Sequence, residues 1–201
     1  RFGWQPKIAY WNLTRLAHAL SPLFATPEPM LTAGLQRYMD AYVAAERDNI
    51  ARKLGLAACG DADVDLMDDL HALMAAAEVD MTLWFRALAE IDPDAPGLAP
   101  LADAFYDEEK RQDHAAAFEA WLARYARRLA EDPLDAVLRR TRMNAANPRY
   151  VLRNYLAQEA IDRAELGDVS RIDELLEVMR RPYDDQPGRE RFAQKRPDWA
   201  K

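Results

Sequence analysis

The sequence predicts an all-α protein of about eight helices. Its aliphatic residues are mostly alanine and leucine, which favour helix, whereas valine and isoleucine are sparse. Glycine accounts for only 7 of the 201 residues, fewer than the turns of a sheet protein of this size would need. Apolar side chains recur at helical spacing along most of the chain, and prolines and aspartates stand where helices would begin or end.

The first two predicted helices are separated by a proline-rich turn. Pro6 suits the first turn of a helix, where a missing N–H costs nothing, and Pro22 ends that helix. After the turn at residues 26–29 (Thr-Pro-Glu-Pro), the apolar stripe of a second helix continues to Leu54. Gly55 then stands where a glycine C-terminal cap is expected.

Two shorter helices follow, and each has an aspartate as its expected N-cap. Asp61 or Asp63 is placed to cap the third helix, and Asp80 to cap the fourth. The turn-rich loop at residues 91–97 then ends the first half of the chain, without marking a domain boundary.

The second half of the chain predicts four more helices. A long one covers residues 100–130, and Pro133 restarts the chain after it. Asn147 is expected to cap a further helix that Pro148 begins, and Gly167 ends that helix.

The predicted organisation is one helical domain over residues 1–181, followed by an extended polar tail over residues 182–201. The last helix of the domain is expected to open at Asp168 or Ser170. The tail contains prolines and few apolar residues, so we expect it to lie over the surface.

Composition excludes several classes of function. The net charge is −7, of which −6 falls on residues 1–100, so the chain lacks the basic surface of a nucleic-acid-binding protein. The single cysteine, Cys59, excludes a disulfide framework. No apolar run approaches the length of a membrane span, and no signal peptide is recognisable. The chain opens with Arg1 instead of methionine, which predicts a piece of a longer protein.

No catalytic motif is recognisable. Nucleotide-binding loops need closely spaced glycines, and the glycines here are scattered singly. The nearest metal-site candidate is Asp68 with His71, three residues apart on one helix face, which we interpret as a surface charge pair. The acidic run at residues 107–109, followed by Asp113 and His114, lacks the Glu-x-x-His pattern of di-metal bundles, so we interpret it as a solvated face.

Two further candidates for a functional site are Cys59 and residues 139–154. Cys59 has no neighbouring histidine or lysine to activate it as a nucleophile. Residues 139–154 are rich in arginine and asparagine and could bind an anion, or their arginines could pair with carboxylates elsewhere in the fold. We favour the pairing interpretation, because arginine is the usual partner of buried carboxylates.

The same region resembles the selenoprotein O family, also called YdiU. The resemblance is densest over residues 143–158, which read Met-Asn-Ala-Ala-Asn-Pro-Arg-Tyr-Val-Leu-Arg-Asn-Tyr-Leu-Ala-Gln. Shorter matches lie on both sides of this segment, in the same order along the chain as in the family. They are residues 5–13 (Gln-Pro-Lys-Ile-Ala-Tyr-Trp-Asn-Leu), residues 15–17 (Arg-Leu-Ala), Asp80, Thr82, Phe85, Arg86, residues 176–183 (Leu-Glu-Val-Met-Arg-Arg-Pro-Tyr) and residues 186–187 (Gln-Pro).

The resemblance implies a protein-kinase-like fold, of which this chain would be the helical C-lobe and C-terminal extension. Such enzymes transfer AMP from ATP to Ser, Thr or Tyr hydroxyls of proteins with magnesium or manganese, and some bacterial members are associated with UMP transfer. In the family, the ATP-binding lysine, its glutamate partner and the metal-binding residues precede the segment that begins here at Gln5. We therefore predict no catalytic, cofactor-binding or metal-binding residue in this chain.

The resemblance also implies partners and a location. The partners would be the missing N-terminal kinase-like portion and the protein substrates of the parent enzyme, with no nucleic acid and no membrane, in the bacterial cytoplasm. Without that portion, Trp11 and Leu16 of the first helix are expected to be exposed or repacked. Family members often end in a cysteine- or selenocysteine-bearing tail, which the ending at residues 199–201 lacks and Cys59 does not match.

Two other functions remain as alternatives. One is a non-catalytic helical interaction module that acts alone, for which a wide apolar groove between helices would be the mark. The other is a metal-dependent helical-bundle enzyme, which the missing ligand pattern disfavours.

Overall fold

The computed structural model describes residues 2–200, with side chains from Gly3 onward. Within that range it has eight α-helices and five short 3-10 helices, which confirms the predicted all-α class. Its only β pairing there is an isolated bridge between Val79 and Phe105. No helix of that range has the length and apolar character needed to cross a membrane. The helices are α1 (Gln5–Leu20), α2 (Pro27–Leu54), α3 (Asp61–Ala76), α4 (Met81–Leu88), α5 (Glu108–Ala130), α6 (Ala136–Ala146), α7 (Asn154–Glu165) and α8 (Ser170–Met179).

Contacts between Cα atoms divide the chain into two compact units, residues 1–49 and residues 50–201. We predicted one domain over residues 1–181 with a separate tail. The division falls instead within α2, and the tail belongs to the second unit.

The first unit consists of α1 and most of α2. Pro6 lies in the first turn of α1, as predicted, and its carbonyl accepts a hydrogen bond of 3.0 Å from the Tyr38 hydroxyl on α2. The Tyr10 and Tyr38 rings lie 6.3 Å apart. Among residues 3–49 only Ala17 is buried, so this unit has almost no interior of its own.

The larger core lies in the second unit and is built around Trp84 of α4. The Phe118 ring of α5 lies 4.9 Å from the Trp84 ring, and the Phe105 and Trp121 rings lie 6.0 and 6.3 Å from it. The Trp121 indole donates a 2.8 Å hydrogen bond to the Leu66 carbonyl of α3. This aromatic cluster therefore joins three helices and the segment that precedes α5.

A second, smaller core joins α7, α8 and the tail. Its buried residues include Tyr150, Leu156, Leu175 and Val178, and Phe192 of the tail is 1% exposed. The tail also forms 3-10 helices at Glu190–Ala193 and Asp198–Ala200. We expected an extended tail lying over the surface, but Phe192 is a core residue, because one large aromatic ring can anchor an otherwise polar segment.

The predicted start of the helix over residues 100–130 was wrong. A 3-10 helix covers Ala99–Ala104, Phe105 forms the bridge to Val79, and α5 begins only at Glu108. The cause is Asp107, whose carboxylate accepts from the backbone N–H groups of two residues in the first turn and so fixes a new helix start.

The predicted role of Asn147 was also wrong. Asn147 ends α6 instead of capping a helix begun by Pro148, and α7 starts at Asn154. The backbone N–H groups of Arg149 and Tyr150 both donate to the Pro182 carbonyl, which holds this stretch in a non-helical conformation. A tertiary hydrogen bond has thus overridden a local capping preference.

Other predicted helix ends are close to the observed ones. Asp80 is the N-cap of α4, as predicted. Gly60, not an aspartate, is the N-cap of α3, although the Gly60 N–H donates a 2.8 Å hydrogen bond to the Asp63 carboxylate. Ser170 begins α8, and its N–H donates to Asp168.

Gly55 ends α2 in a left-handed conformation, with φ of +70°. It is also closely covered: a Cβ built there would lie 2.4 Å from Cγ of Arg139 and 2.8 Å from Cγ of Met143. The predicted glycine cap is therefore required for two reasons, its φ value and the approach of α6.

We expect Gly55→Ala to lower the free energy of unfolding by about 3 kcal/mol, from left-handed strain plus steric overlap. Gly167→Ala is the matched control, because Gly167 has φ of +85° but nothing within 4 Å of its built Cβ. It should cost only the strain, about 1 kcal/mol. Urea unfolding of the three proteins tests this, and equal losses for the two variants would contradict the role of the α6 contact.

Candidate functional site

The side chain of Asp80, which lies where α4 begins, accepts four hydrogen bonds. Its Oδ1 accepts from the N–H groups of Thr82 and Leu83 at 3.1 and 3.2 Å. Its Oδ2 accepts from the Tyr106 hydroxyl at 2.7 Å and from Nη1 of Arg153 at 2.6 Å. A carboxylate offers about four acceptor positions, so Asp80 has none left for a substrate proton.

The Asp80–Arg153 ion pair is nearly dry. The side chains of Asp80 and Arg153 are 3% and 12% exposed. Burial on its own would raise the pKa of Asp80, but the hydrogen bonds from Arg153 and Tyr106 and the charge of the arginine outweigh it, so that pKa lies below its usual value. Burial and the hydrogen bond to Asp80 raise the pKa of Tyr106, which therefore remains a donor.

The amide of Asn147 holds the end of α2. Its Oδ1 accepts a 3.0 Å hydrogen bond from the Lys53 ammonium, and its Nδ2 donates a 3.1 Å bond to the Lys53 carbonyl. The same ammonium lies 4.5 Å from the centre of the Phe85 ring. Burial lowers the pKa of Lys53, and the ring and the amide provide contacts that offset the lost hydration.

Arg86 of α4 holds the end of α6 and the start of the tail. Its Nη1 lies 3.3–3.4 Å from the carbonyl oxygens of Asn144, Asn147 and Tyr183. Its Nη2 lies 3.5 Å from Asp185, and Arg149 donates to the same carboxylate at 2.8 Å. Desolvation lowers the pKa of Arg86, whereas the charge of Asp185 acts in the opposite direction.

A cleft of about 390 Å³ opens beside these arginines. It has an apolar wall formed by residues such as Leu83 and Ala104, and a polar edge with Arg86, Arg149 and Glu190. Two guanidinium groups could hold a carboxylate or phosphate, but Asp185 already occupies them, and Glu190 lies at the same edge. The arrangement is therefore closer to neutral than the arginine-rich sequence suggests.

The structure confirms the pairing interpretation for three arginines of residues 139–154. Arg140 donates to Glu90 at 3.0 Å, Arg149 to Asp185, and Arg153 to Asp80. Sequence reasoning assigned none of these three carboxylates as partners: Asp80 was recognised only as a helix cap, Asp185 was assigned to the tail, and Glu90 was not singled out. Asp80 and Arg86 are both among the short matches to the family, and those matches were the signal in the sequence that these two residues matter.

The other candidates lie apart from this network. Asp107 is the N-cap of α5, and hydrogen bonds from Arg111 and Gln112 lower the pKa of Glu108 to about 2. The Cys59 thiol donates to the Gly60 carbonyl at 3.4 Å. Over residues 2–200, no three His, Cys, Asp or Glu side chains cluster as metal ligands would. The absence of catalytic and metal-binding residues from the chain stays a prediction.

Comparison with known proteins finds relatives that are named as nucleotidyltransferases. The chain is 60% identical to proteins named "Protein nucleotidyltransferase YdiU" from Xanthomonas euvesicatoria pv. vesicatoria (strain 85-10) and Xanthomonas axonopodis pv. citri (strain 306). A protein of the same name from Xanthomonas oryzae pv. oryzae (strain MAFF 311018) is 58% identical. Each alignment covers all 201 residues of this chain but 39% of the relative, so the chain spans about two fifths of their length.

The chain belongs to the SelO family. The family described as "Protein adenylyltransferase SelO" matches residues 1–180. This confirms the resemblance drawn from residues 143–158 and the shorter ordered matches.

We expect Asp80→Asn to lower the free energy of unfolding by about 3 kcal/mol at pH 7, because it leaves the buried Arg153 without a counter-charge while asparagine still caps α4. Asp69→Asn is the control: it breaks an Asp69–Arg124 pair whose side chains are 53% and 44% exposed, and should cost less than about 1 kcal/mol.

The difference between wild type and Asp80→Asn should also depend on pH. The folded state lowers the pKa of Asp80, so the folded protein binds fewer protons and the contribution is complete above the unfolded pKa of about 3.9. The gap should therefore be constant from about pH 5 to 8 and shrink as pH falls below about 4. Urea unfolding at several pH values tests this, and a gap that widens on acidification would contradict it.

Proposed function

We propose that this chain is the C-terminal helical part of a protein adenylyltransferase, which transfers AMP from ATP to Ser, Thr or Tyr hydroxyls of proteins. The observation that carries the proposal is the match of the family over residues 1–180, together with relatives named nucleotidyltransferases that are more than twice as long. The cofactors of the whole protein would be ATP with magnesium or manganese, and it would act in the bacterial cytoplasm.

The role proposed for this part is to support the nucleotide cleft. Nucleotidyl transfer depends on positioning and on cations that stabilise charge at the phosphates. The mostly buried ion pair Asp80–Arg153 uses its charges to fix α4 against the segment that follows α6. Arg86 and Lys53 are held by backbone carbonyls and by an amide. We infer that these groups hold the helices rigidly in place. We place the phosphate- and metal-binding residues in the part of the protein that precedes Arg1.

The test separates nucleotidyl from phosphoryl transfer. The full-length protein and the 201-residue chain are each incubated with protein substrate, Mg²⁺ or Mn²⁺, and ATP labelled at either the α- or the γ-phosphate. We expect protein labelling from α-labelled ATP by the full-length protein only, because the label of AMP lies on the α-phosphate. Labelling by the 201-residue chain, or labelling from γ-labelled ATP alone, would contradict the proposal.

A parallel reaction with α-labelled UTP decides between AMP and UMP transfer by the whole protein. Stronger labelling from UTP than from ATP at equal concentration would support nucleotidyl transfer by the whole protein but identify UTP, not ATP, as its nucleotide substrate.

A second candidate is an interaction module that acts alone. The observation that favours it is an open apolar cleft of about 540 Å³ between α1 and α2, lined by Tyr10, Tyr38, Met39 and Tyr42 among others. This function predicts a protein partner that binds the 201-residue chain without nucleotide. Binding that Tyr38→Glu abolishes, in a chain that still folds by circular dichroism, would favour it over the first proposal.

A further inference from the structure

Three arginine side chains share the single carboxylate of Glu174 on α8. Arg171 of the same helix donates to Oε2 of Glu174 at 2.6 Å, and from the tail Arg189 donates to Oε1 and Arg191 to Oε2. Three positive charges therefore meet one negative charge, which leaves an excess of two positive charges. We call these three arginines the arginine cluster.

Other acidic residues of this region do not balance the excess charge. Asp168 pairs with Arg163 at 3.7 Å. In the part of the chain that the structure describes, neither Asp173 nor Glu190 forms an ion pair with the arginine cluster. Guanidinium groups that meet at one carboxylate lie close together and repel one another, so an anion that binds from the solvent would relieve this repulsion.

Packing holds part of the arginine cluster in place before any ligand binds. The side chain of Arg171 is 9% exposed, and its Nε is buried with no hydrogen-bond partner among the described residues. The guanidinium of Arg191 lies 4.3 Å from the centre of the Phe192 ring, and Phe192 is 1% exposed. Side chains that are already ordered lose less conformational freedom when they bind a ligand than mobile surface arginines do.

The two tail arginines are open to the solvent. The side chains of Arg189 and Arg191 are 40% and 49% exposed. A guanidinium has five N–H donors, and one nitrogen of each contacts Glu174, so donors remain for a second acceptor. The planar guanidinium fork matches the oxygens of a phosphate group, which carries about −1.5 to −2 charges at pH 7. That charge is close in magnitude to the excess at the arginine cluster.

We propose that the arginine cluster binds a phosphate group, which contacts Arg189 and Arg191 on the side that is open to the solvent. Arg171 and Glu174 keep these two guanidinium groups together and contribute to the local charge. The inference does not rest on the proposed function, because it uses only contacts between α8 and the tail.

Modification of arginine by phenylglyoxal tests this inference in the full-length protein, with mass spectrometry measuring the rate at each residue. We expect inorganic phosphate at about 10 mM and constant ionic strength to slow the modification of Arg189 and Arg191 at least about five-fold, because bound phosphate covers their guanidinium groups. Arg180 of α8 is the internal reference, since its side chain is 62% exposed and pairs only with Glu177. Equal rates with and without phosphate, or equal slowing at all three arginines, would overturn the inference.

The same measurement identifies the source of the phosphate group. AMP and O-phosphoserine carry this group on a nucleotide and on an amino acid. Stronger protection of Arg189 and Arg191 by AMP would assign a nucleotide as the ligand, and stronger protection by O-phosphoserine would assign a phosphorylated protein. Protection by inorganic phosphate alone would assign the free ion.

A variant of one tail arginine provides an independent test. In the full-length protein, Arg191→Gln should raise the phosphate concentration that half-protects Arg189 at least about five-fold, because one of the two binding guanidinium groups is lost. Arg180→Gln is the matched control, and it should change that concentration by less than about 1.5-fold because its ion pair is exposed. Unchanged protection of Arg189 in Arg191→Gln would overturn the inference.

Glu174→Gln distinguishes an anion site from ion pairs that only attach the tail. Removal of the competing negative charge should lower the phosphate concentration that half-protects Arg189 at least about five-fold, because phosphate then meets three unbalanced positive charges. Arginines that serve only to attach the tail would lose their common partner in this variant. Weaker protection of Arg189 by phosphate in Glu174→Gln than in wild type would therefore overturn the inference.

Discussion

The buried ion pair between Asp80 and Arg153 is the contact on which the arrangement of the second unit depends. Asp80 caps α4, its backbone N–H donates a 2.7 Å hydrogen bond to the Ala104 carbonyl, and its carboxylate binds Tyr106 and Arg153. One residue thus joins a helix start, the segment before α5 and the segment before α7. Since the two side chains are only 3% and 12% exposed, removal of either one leaves the other charge poorly hydrated and without its partner.

The tail completes this unit and is not an appendage to it. Glu174 of α8 forms ion pairs with Arg171 of its own helix and with Arg189 and Arg191 of the tail. Two of these guanidinium groups lie near the Phe192 ring, that of Arg191 at 4.3 Å and that of Arg171 at 6.0 Å from its centre. Polar attachments of this kind tolerate a sequence with few apolar residues, which explains why composition alone suggested an extended tail over the surface.

The sequence was sufficient where a local rule decided the structure. Pro6 and Gly55 act through backbone geometry, and Asp80 through its reach to the next N–H groups, so these ends of helices were predictable from neighbours alone. The failures occurred where distant contacts competed. Asn147 has good capping chemistry, but its amide is bound to Lys53, which lies 94 positions away in the chain. For the same reason, the candidate site could be recognised as arginine-rich, but its ion pairs could not be assigned, because the carboxylates lie just before and just after α4 and in the tail.

The five tryptophans divide into two environments. Trp84 and Trp121 are 0% and 2% exposed in the core of the second unit, whereas Trp4 and Trp11 of the first unit are each 53% exposed and Trp199 of the tail is 69% exposed. Intrinsic fluorescence of the chain is therefore a sum of two populations, one emitting at short wavelength and shielded from acrylamide, the other emitting further to the red and readily quenched. Quenching at selected wavelengths would therefore separate the core of the second unit from the exposed tryptophans within one unlabelled molecule.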